Sequence, residues 1–159
     1  MTAEAPILIA YDGSDAAQRA ISKAAELFAS RKIVVMTVWE PGLASAMAMP
    51  MSSLGGLAPG TVDIEAAREA DEQVQGRAER IARDGADLAR AAGLDAEAIA
   101  VPEATRVSGA ITDQARAAGA AAIVVGSRGL SGLRARMEGS TSSAVVKNAP
   151  CPVLVVHHD

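Results

Sequence analysis

Five short runs of aliphatic and β-branched residues, apolar at successive positions, alternate along this chain with longer stretches of helical periodicity, and that alternation admits few folds. The runs lie at 7–10, 33–39, 98–101, 121–125 and 153–156. A strand that is apolar on both sides is one covered on both faces, which is the habit of parallel sheets flanked by helices. Between the runs, Ala17, Ile21, Ala24 and Phe28 recur at steps of three and four, as do Val107, Ile111, Gln114 or Ala115, and Ala118. The strongest stripe is Val74, Ala78, Ile81, Gly85, Leu88 and Ala92, within a helix expected over 62–92. A short fourth helix is expected over 140–148, ahead of the Pro150-Cys151-Pro152 break. Asp15 and Gln18 have near-capping-box spacing, and Thr105 is placed to cap the third helix. The order is β-α-β-α-β-α-β-α-β, an open five-stranded parallel α/β sheet with helices on both faces.

With 159 residues the chain is expected to be a single domain over 1–159, burying roughly 70% of its unfolded surface in one core. Thirty-six residues are alanine and only Tyr11, Phe28 and Trp39 are aromatic, so that core must be aliphatic and closely packed. Stacking platforms for single-stranded nucleic acid are nearly absent. Fifteen basic against nineteen acidic side chains give a net charge of −4, the wrong sign for a phosphate-backbone binder, so no nucleic-acid partner is expected. The lone Cys151 excludes an intrachain disulfide, and the first residues lack a basic segment followed by a secretory apolar one; the expected location is cytoplasmic. The longest apolar run, near 117–125, is far shorter than the ~20 residues a membrane helix needs, so no membrane association is expected.

One segment breaks the rhythm. Residues 40–61 hold Pro41, Pro50 and Pro59, four glycines, and Met47, Met49 and Met51. It reads as a long loop, either simply mobile or serving as a nucleotide lid or partner surface.

The chemistry concentrates after the fourth strand, where Gly126, Ser127, Arg128, Gly129, Gly132 and Gly139 lead into Ser140, Thr141, Ser142 and Ser143. Glycines let main-chain N–H groups approach a phosphate without a Cβ in the way, and a serine-rich helix start adds donors. The alternative is an ordinary βα turn. Three features favour an anion site: the glycines end a strand, the serine-rich helix start follows, and the strand is expected beside the first one, where strand order reverses. A P-loop is excluded because the only lysines are Lys23, Lys32 and Lys147. A dinucleotide fingerprint is excluded because the first turn reads Tyr11-Asp12-Gly13-Ser14-Asp15. Phosphate charge is then left to Arg128, with Arg134 and Arg136 either assisting or solvated, and to a divalent ion. Asp12, at the end of the first strand, either accepts from a ribose hydroxyl or holds a hydrated metal ion, or else caps the next helix with Ser14. His157 and His158 read as a tail rather than a metal site, Cys151 as a structural thiol with redox sensing the alternative, and Glu138 as an exposed carboxylate with the orienting of a water the alternative. No general-base pair stands out.

These residues resemble the universal stress protein family over essentially the whole chain. The opening strand ends in Asp12-Gly13-Ser14, the second strand contains Val38, and the close reads Pro150-Cys151-Pro152-Val153-Leu154-Val155-Val156. The most specific feature is Gly126-x2-Gly129-x9-Gly139-Ser140, a spacing similar to the signature of the family's ATP-binding branch. The resemblance implies sheet order 3-2-1-4-5. It implies that Ala10 and Asp12 lie along the nucleoside and that Val38 offers main-chain groups to adenine. It also implies that Gly126, Arg128, Gly129, Gly139, Ser140 and Thr141 surround the phosphates of ATP. Ser127, Gly132 and Ser142 complete the candidate set, with Mg²⁺ or Mn²⁺ held mainly by the phosphates. Ala10 departs from the glycine or proline common at that turn. The family's habit of pairing through its last strand implies a homodimer through Val153 to Val156, whose bare apolar edge would otherwise risk aggregation.

The leading expectation is an ATP-binding stress-response protein whose nucleotide occupancy alters its shape or its partners, with slow hydrolysis or none. An adenylating enzyme of related fold would carry His-x-Gly-His or Ser-Gly-Gly-x-Asp-Ser in the first turn, and neither is present. A nucleotide-independent interaction module would show a degraded glycine loop, and this one is intact.

Overall fold

The computed structural model describes residues 4–42, 64–127 and 141–157. Five strands, β1 (Ile7–Ala10), β2 (Lys32–Trp39), β3 (Asp95–Pro102), β4 (Ala122–Gly126) and β5 (Val153–Val156), form one all-parallel sheet in the order β3-β2-β1-β4-β5. The expected architecture and strand order are therefore what the chain adopts. The helices are α1 (Asp15–Leu27), α2 (Ile64–Ala91), α3 (Val107–Ala117) and α4 (Thr141–Asn148).

The apolar runs sort by parity onto two faces. Ile7, Ile9 and Tyr11 of the first strand and its turn join Ile33, Val35, Ala122 and Val124 under Ala17, Ala20, Ile21 and Ala24 of α1 and Ala86 and Ala89 of α2. Leu8, Ala10, Val34, Met36, Ile123 and Val125 face the other way, against Ile111 and Ala115 of α3 and Val145 of α4. β1 is central, and all four of its residues are buried. The alanines on α1 and α2 let both helices lie close to the sheet, which is how a core with so few aromatics reaches interior density.

Several expectations change. β3 extends from Asp95 to Pro102 rather than covering only 98–101, because all eight residues pair with β2. It is an edge strand, so the exposed Asp95 and Glu97 are tolerated, and Glu97 forms a 3.0 Å ion pair with Lys32. The buried stripe of α2 is Ala78, Ala82, Gly85, Ala86 and Ala89, whereas Ile81 and Val74 are only half-buried and Leu88 is 44% exposed. The helix is rotated so that its smallest residues meet the sheet and its larger ones flank the contact. Of Ser14 and Asp15, both read as caps, Ser14 is the N-cap of α1, its side chain accepting from the Ala17 N–H, whereas Asp15 is the first helical residue. Thr105 does not cap α3: the N-cap position is Arg106, with no side-chain hydrogen bond. Of the expected 40–61 loop, only Glu40 to Gly42 lies within the described residues. There the Gly42 N–H donates to Asp71 Oδ1 of α2 at 2.7 Å.

The two sheet edges differ in chemistry. The β3 edge carries Asp95, Glu97 and Pro102, whereas β5 consists of Val153, Leu154, Val155 and Val156, the first three only partly buried. Among the described residues, no helix is long and apolar enough to cross a membrane.

Gly85 owes its identity to the close approach of α2. A Cβ there would stand 2.6 Å from Tyr11 Cδ1, whose ring is buried. Gly85→Ala should therefore destabilise the fold by roughly 1–3 kcal/mol in urea unfolding. At Gly76 the nearest atom to an added Cβ is the Arg80 guanidinium at 3.7 Å. Gly76→Ala in the same helix should instead stabilise by roughly 0.5–1 kcal/mol. Equal effects at the two positions would refute this account of α2 packing.

Candidate functional site

The strands bring several of the expected site residues, Ala10, Val38 and Gly126, to the carboxyl edge of the sheet. Ile9 pairs with Val124 and Ala10 with Met36, the last pairs β1 makes with its two neighbours; Gly126 and Val38 lie two residues beyond those partners, and Tyr11 and Asp12 follow Ala10 into the turn. Thr141 and Ser142 open α4, the helix that follows β4. β1 lies between β2 and β4, and the chain leaves it for one face toward α1 and leaves β4 for the other toward α4. This is the strand-order reversal at which open α/β sheets form a crevice.

Asp12 does not end the strand itself. β1 stops at Ala10, and Asp12 sits in the following turn, half-buried, with Oδ1 accepting the Ser14 N–H at 3.0 Å. Gly13 takes φ +83°, a conformation that suits glycine, and the Ser14 hydroxyl accepts from the Ala17 N–H at 3.2 Å. The turn thus closes on itself twice and delivers the chain into α1. Asp12 serves in the turn as the capping alternative requires, and its half-exposed carboxylate keeps a second oxygen that can meet a ligand.

Beneath this turn lie two residues that the sequence reading passed over. Tyr11 is 4% exposed, and its N–H donates to the Met36 carbonyl at 2.8 Å. Its carbonyl accepts the hydroxyl of Thr37, itself buried, at 2.8 Å. The signal was available: Thr37 is the one hydroxyl within an otherwise apolar β2 run. Burial pushes the Tyr11 phenol above its ordinary range, the carboxylates of Asp84 and Asp12 push it further the same way, and a hydrogen bond with Gln18 opposes them. Tyr11, Gln18, Ile81, Asp84, Asp87 and Leu88 line a groove of about 540 Å³ between α1 and α2, on the face away from Val38.

Gly126 has a packing role that its place in a glycine motif conceals. A Cβ there would lie 2.9 Å from the carbonyl carbon and oxygen of Ala16 and from its Cβ, so α1 begins directly against the end of β4. Ser127 donates its N–H to the Val156 carbonyl at 2.9 Å, tying the start of the glycine segment to β5. Ser142 is buried and Thr141 half-buried. Arg128, Gly129, Gly132, Gly139 and Ser140, together with Arg134, Arg136, Glu138 and His158, lie outside the described residues. Cys151 is partly buried, and burial raises its thiol pKa, which keeps it a thiol at neutral pH. Among the described residues, no group of three or more His, Cys, Asp or Glu residues is placed to hold a metal ion.

Comparison with known proteins adds the family. The model of the universal stress protein family matches residues 5–157. The universal stress protein YxiE of Bacillus subtilis is 31% identical over 150 residues, covering 94% of this chain and 97% of the relative. A universal stress protein solved in complex with cAMP is 25% identical, with a TM-score of 0.64 over 99% of this chain and 100% of that one. The universal stress protein UspA from Lactobacillus plantarum shares the fold at 21% identity, with a TM-score of 0.67 over 98% of this chain and 99% of its own.

The Gly126 contact makes a prediction that needs no ligand. Gly126→Ala forces α1 to move or the end of β4 to bend, and should destabilise the ligand-free protein by roughly 1–3 kcal/mol in urea unfolding. A fully stable Gly126→Ala protein would mean that α1 does not rest on this glycine.

Proposed function

The chain belongs to the universal stress protein family, and from that premise we propose that it is a single-domain, cytoplasmic protein of the ATP-binding branch, whose nucleotide occupancy alters its shape or its partners. The observation that carries this reading is the strand order, which puts the Asp12 turn after β1 between the ends of β2, with Val38, and of β4, with Gly126, where strand order reverses. It is supported by the Gly126-x2-Gly129-x9-Gly139-Ser140 spacing and by the 25%-identical relative that holds cAMP.

In this reading the Asp12 carboxylate accepts from a ribose hydroxyl, Ala10 lies along the nucleoside, and Val38 presents main-chain groups to adenine. Gly126, Ser127, Arg128, Gly129, Gly132, Gly139, Ser140, Thr141 and Ser142 surround the phosphates, the glycines through main-chain N–H groups and the hydroxyls as further donors. Arg128 supplies a fixed positive charge. Mg²⁺ or Mn²⁺ would travel with the phosphates and offset their charge. With no general base assigned, hydrolysis is slow or absent. The apolar β5 edge is the surface for a homodimer.

Two measurements test this reading. Freshly purified protein should release an adenine nucleotide on denaturation, and ATP at about 100 times its dissociation constant should stabilise the fold by about 2.7 kcal/mol. Gly139→Val should abolish the shift while leaving the circular dichroism spectrum unchanged. If neither ATP, AMP nor cAMP, with or without Mg²⁺, moves the unfolding midpoint, the nucleotide assignment is wrong. For the dimer, Val155→Lys should halve the mass seen by light scattering; an unchanged mass would place the interface elsewhere.

A further inference from the structure

The buried Thr37 hydroxyl donates to the Tyr11 carbonyl at the point where the β1–β2 ladder ends. In a parallel strand the N–H and C=O of one residue point to the same neighbour, and successive residues alternate between the two neighbours. The Met36 carbonyl accepts from Tyr11, on the β1 side, and the Trp39 carbonyl accepts from Glu103, on the β3 side. Val38, two residues beyond Met36, therefore turns its main-chain N–H and C=O toward the β1 side.

Had the ladder continued by one rung, the Val38 N–H would donate to the Tyr11 carbonyl. The last register pair is instead Ala10 with Met36, and among the described residues no main-chain bond joins Val38 to Tyr11. The Tyr11 carbonyl takes the Thr37 hydroxyl at 2.8 Å, a buried bond across 26 residues of sequence. The carbonyl is thus satisfied without the Val38 amide, in a place where an unsatisfied one would be costly. The same bond holds Tyr11, and so the adjoining Asp12, to β2.

We infer that Thr37 is the positioning residue of the adenine subsite: its hydroxyl takes over the Tyr11 carbonyl and so reserves the Val38 amide for an acceptor nitrogen of the base. This rests on the nucleotide reading above and specifies what makes Val38 available. An unprotonated ring nitrogen of adenine accepts from such an amide, whereas guanine carries a hydrogen at the corresponding N1 position. Thr37 thereby contributes to the preference for adenine over guanine without touching either.

The test compares wild type, Thr37→Val and Thr37→Ser by calorimetric titration with ATP and with GTP, alongside urea unfolding. Thr37→Val keeps shape and β-branching but removes the donor, so the Val38 N–H turns to the Tyr11 carbonyl. ATP affinity should then fall about tenfold, and the ATP-to-GTP ratio should fall with it. Thr37→Ser, which keeps the hydroxyl, should retain the wild-type ratio. A wild-type ratio in Thr37→Val, or equal losses for both nucleotides, overturns the inference while leaving the nucleotide reading intact. A wild-type protein that binds neither nucleotide overturns the nucleotide reading and this inference together. Should Thr37→Val fail to fold, hydrogen exchange on the wild type decides. The Val38 amide should exchange quickly in the free protein and slow on adding ATP; protection matching that of Met36 in the free protein overturns the inference.

Discussion

The end of one strand governs the rest. β1 has four residues and is buried on both faces, while β2, beside it, has eight and runs on past its end. Because a central strand can neither bend out of the sheet nor leave main-chain polar groups unpaired, the exit from β1 has to be managed by specific bonds. The management is local: Tyr11 spends its N–H on Met36 and its carbonyl on Thr37, and Asp12 and Ser14 close the turn into α1. The early stop of β1 leaves Val38 and Trp39 of β2 without a main-chain partner on β1 among the described residues.

Helix packing is adjusted to the same place. α1 starts against Gly126, and α2 lays Gly85 against the Tyr11 ring, so both helices of that face touch the residues where β1 and β4 finish. Close approach of this kind is possible only with small residues, and the abundance of alanine on α1 and α2 supplies them. The glycine spacing proposed to bind phosphate and the fold's packing needs thus share at least one glycine, Gly126.

Much of this was legible in the sequence. Continuous apolar runs fixed the parallel sheet, because a strand covered on both faces cannot alternate. The Asp12 turn and the glycine segment stood out because they set a carboxylate, several glycines and a run of hydroxyls at the carboxyl ends of strands expected to be neighbours. What escaped reading was whatever depends on a partner distant along the chain. The length of β3 was hidden by Asp95 and Glu97, which an edge strand tolerates and a central one would not. The buried face of α2 was misplaced because large residues weigh most in a periodicity, whereas here the smallest ones meet the sheet. Thr37 could be seen as an odd hydroxyl, but its partner, a carbonyl 26 residues earlier in sequence, is visible only once β1 and β2 are in register.

The unlike margins of the sheet bear on how far such molecules can associate. A strand margin bearing carboxylates and a proline repels another strand, while one made only of valine and leucine invites it. A like copy joined through β5 about a two-fold axis, as proposed, would use up the inviting margin of both molecules at once. What would then face outward on either side is the guarded one, so the chemistry that would permit a pair would also forbid a fibre.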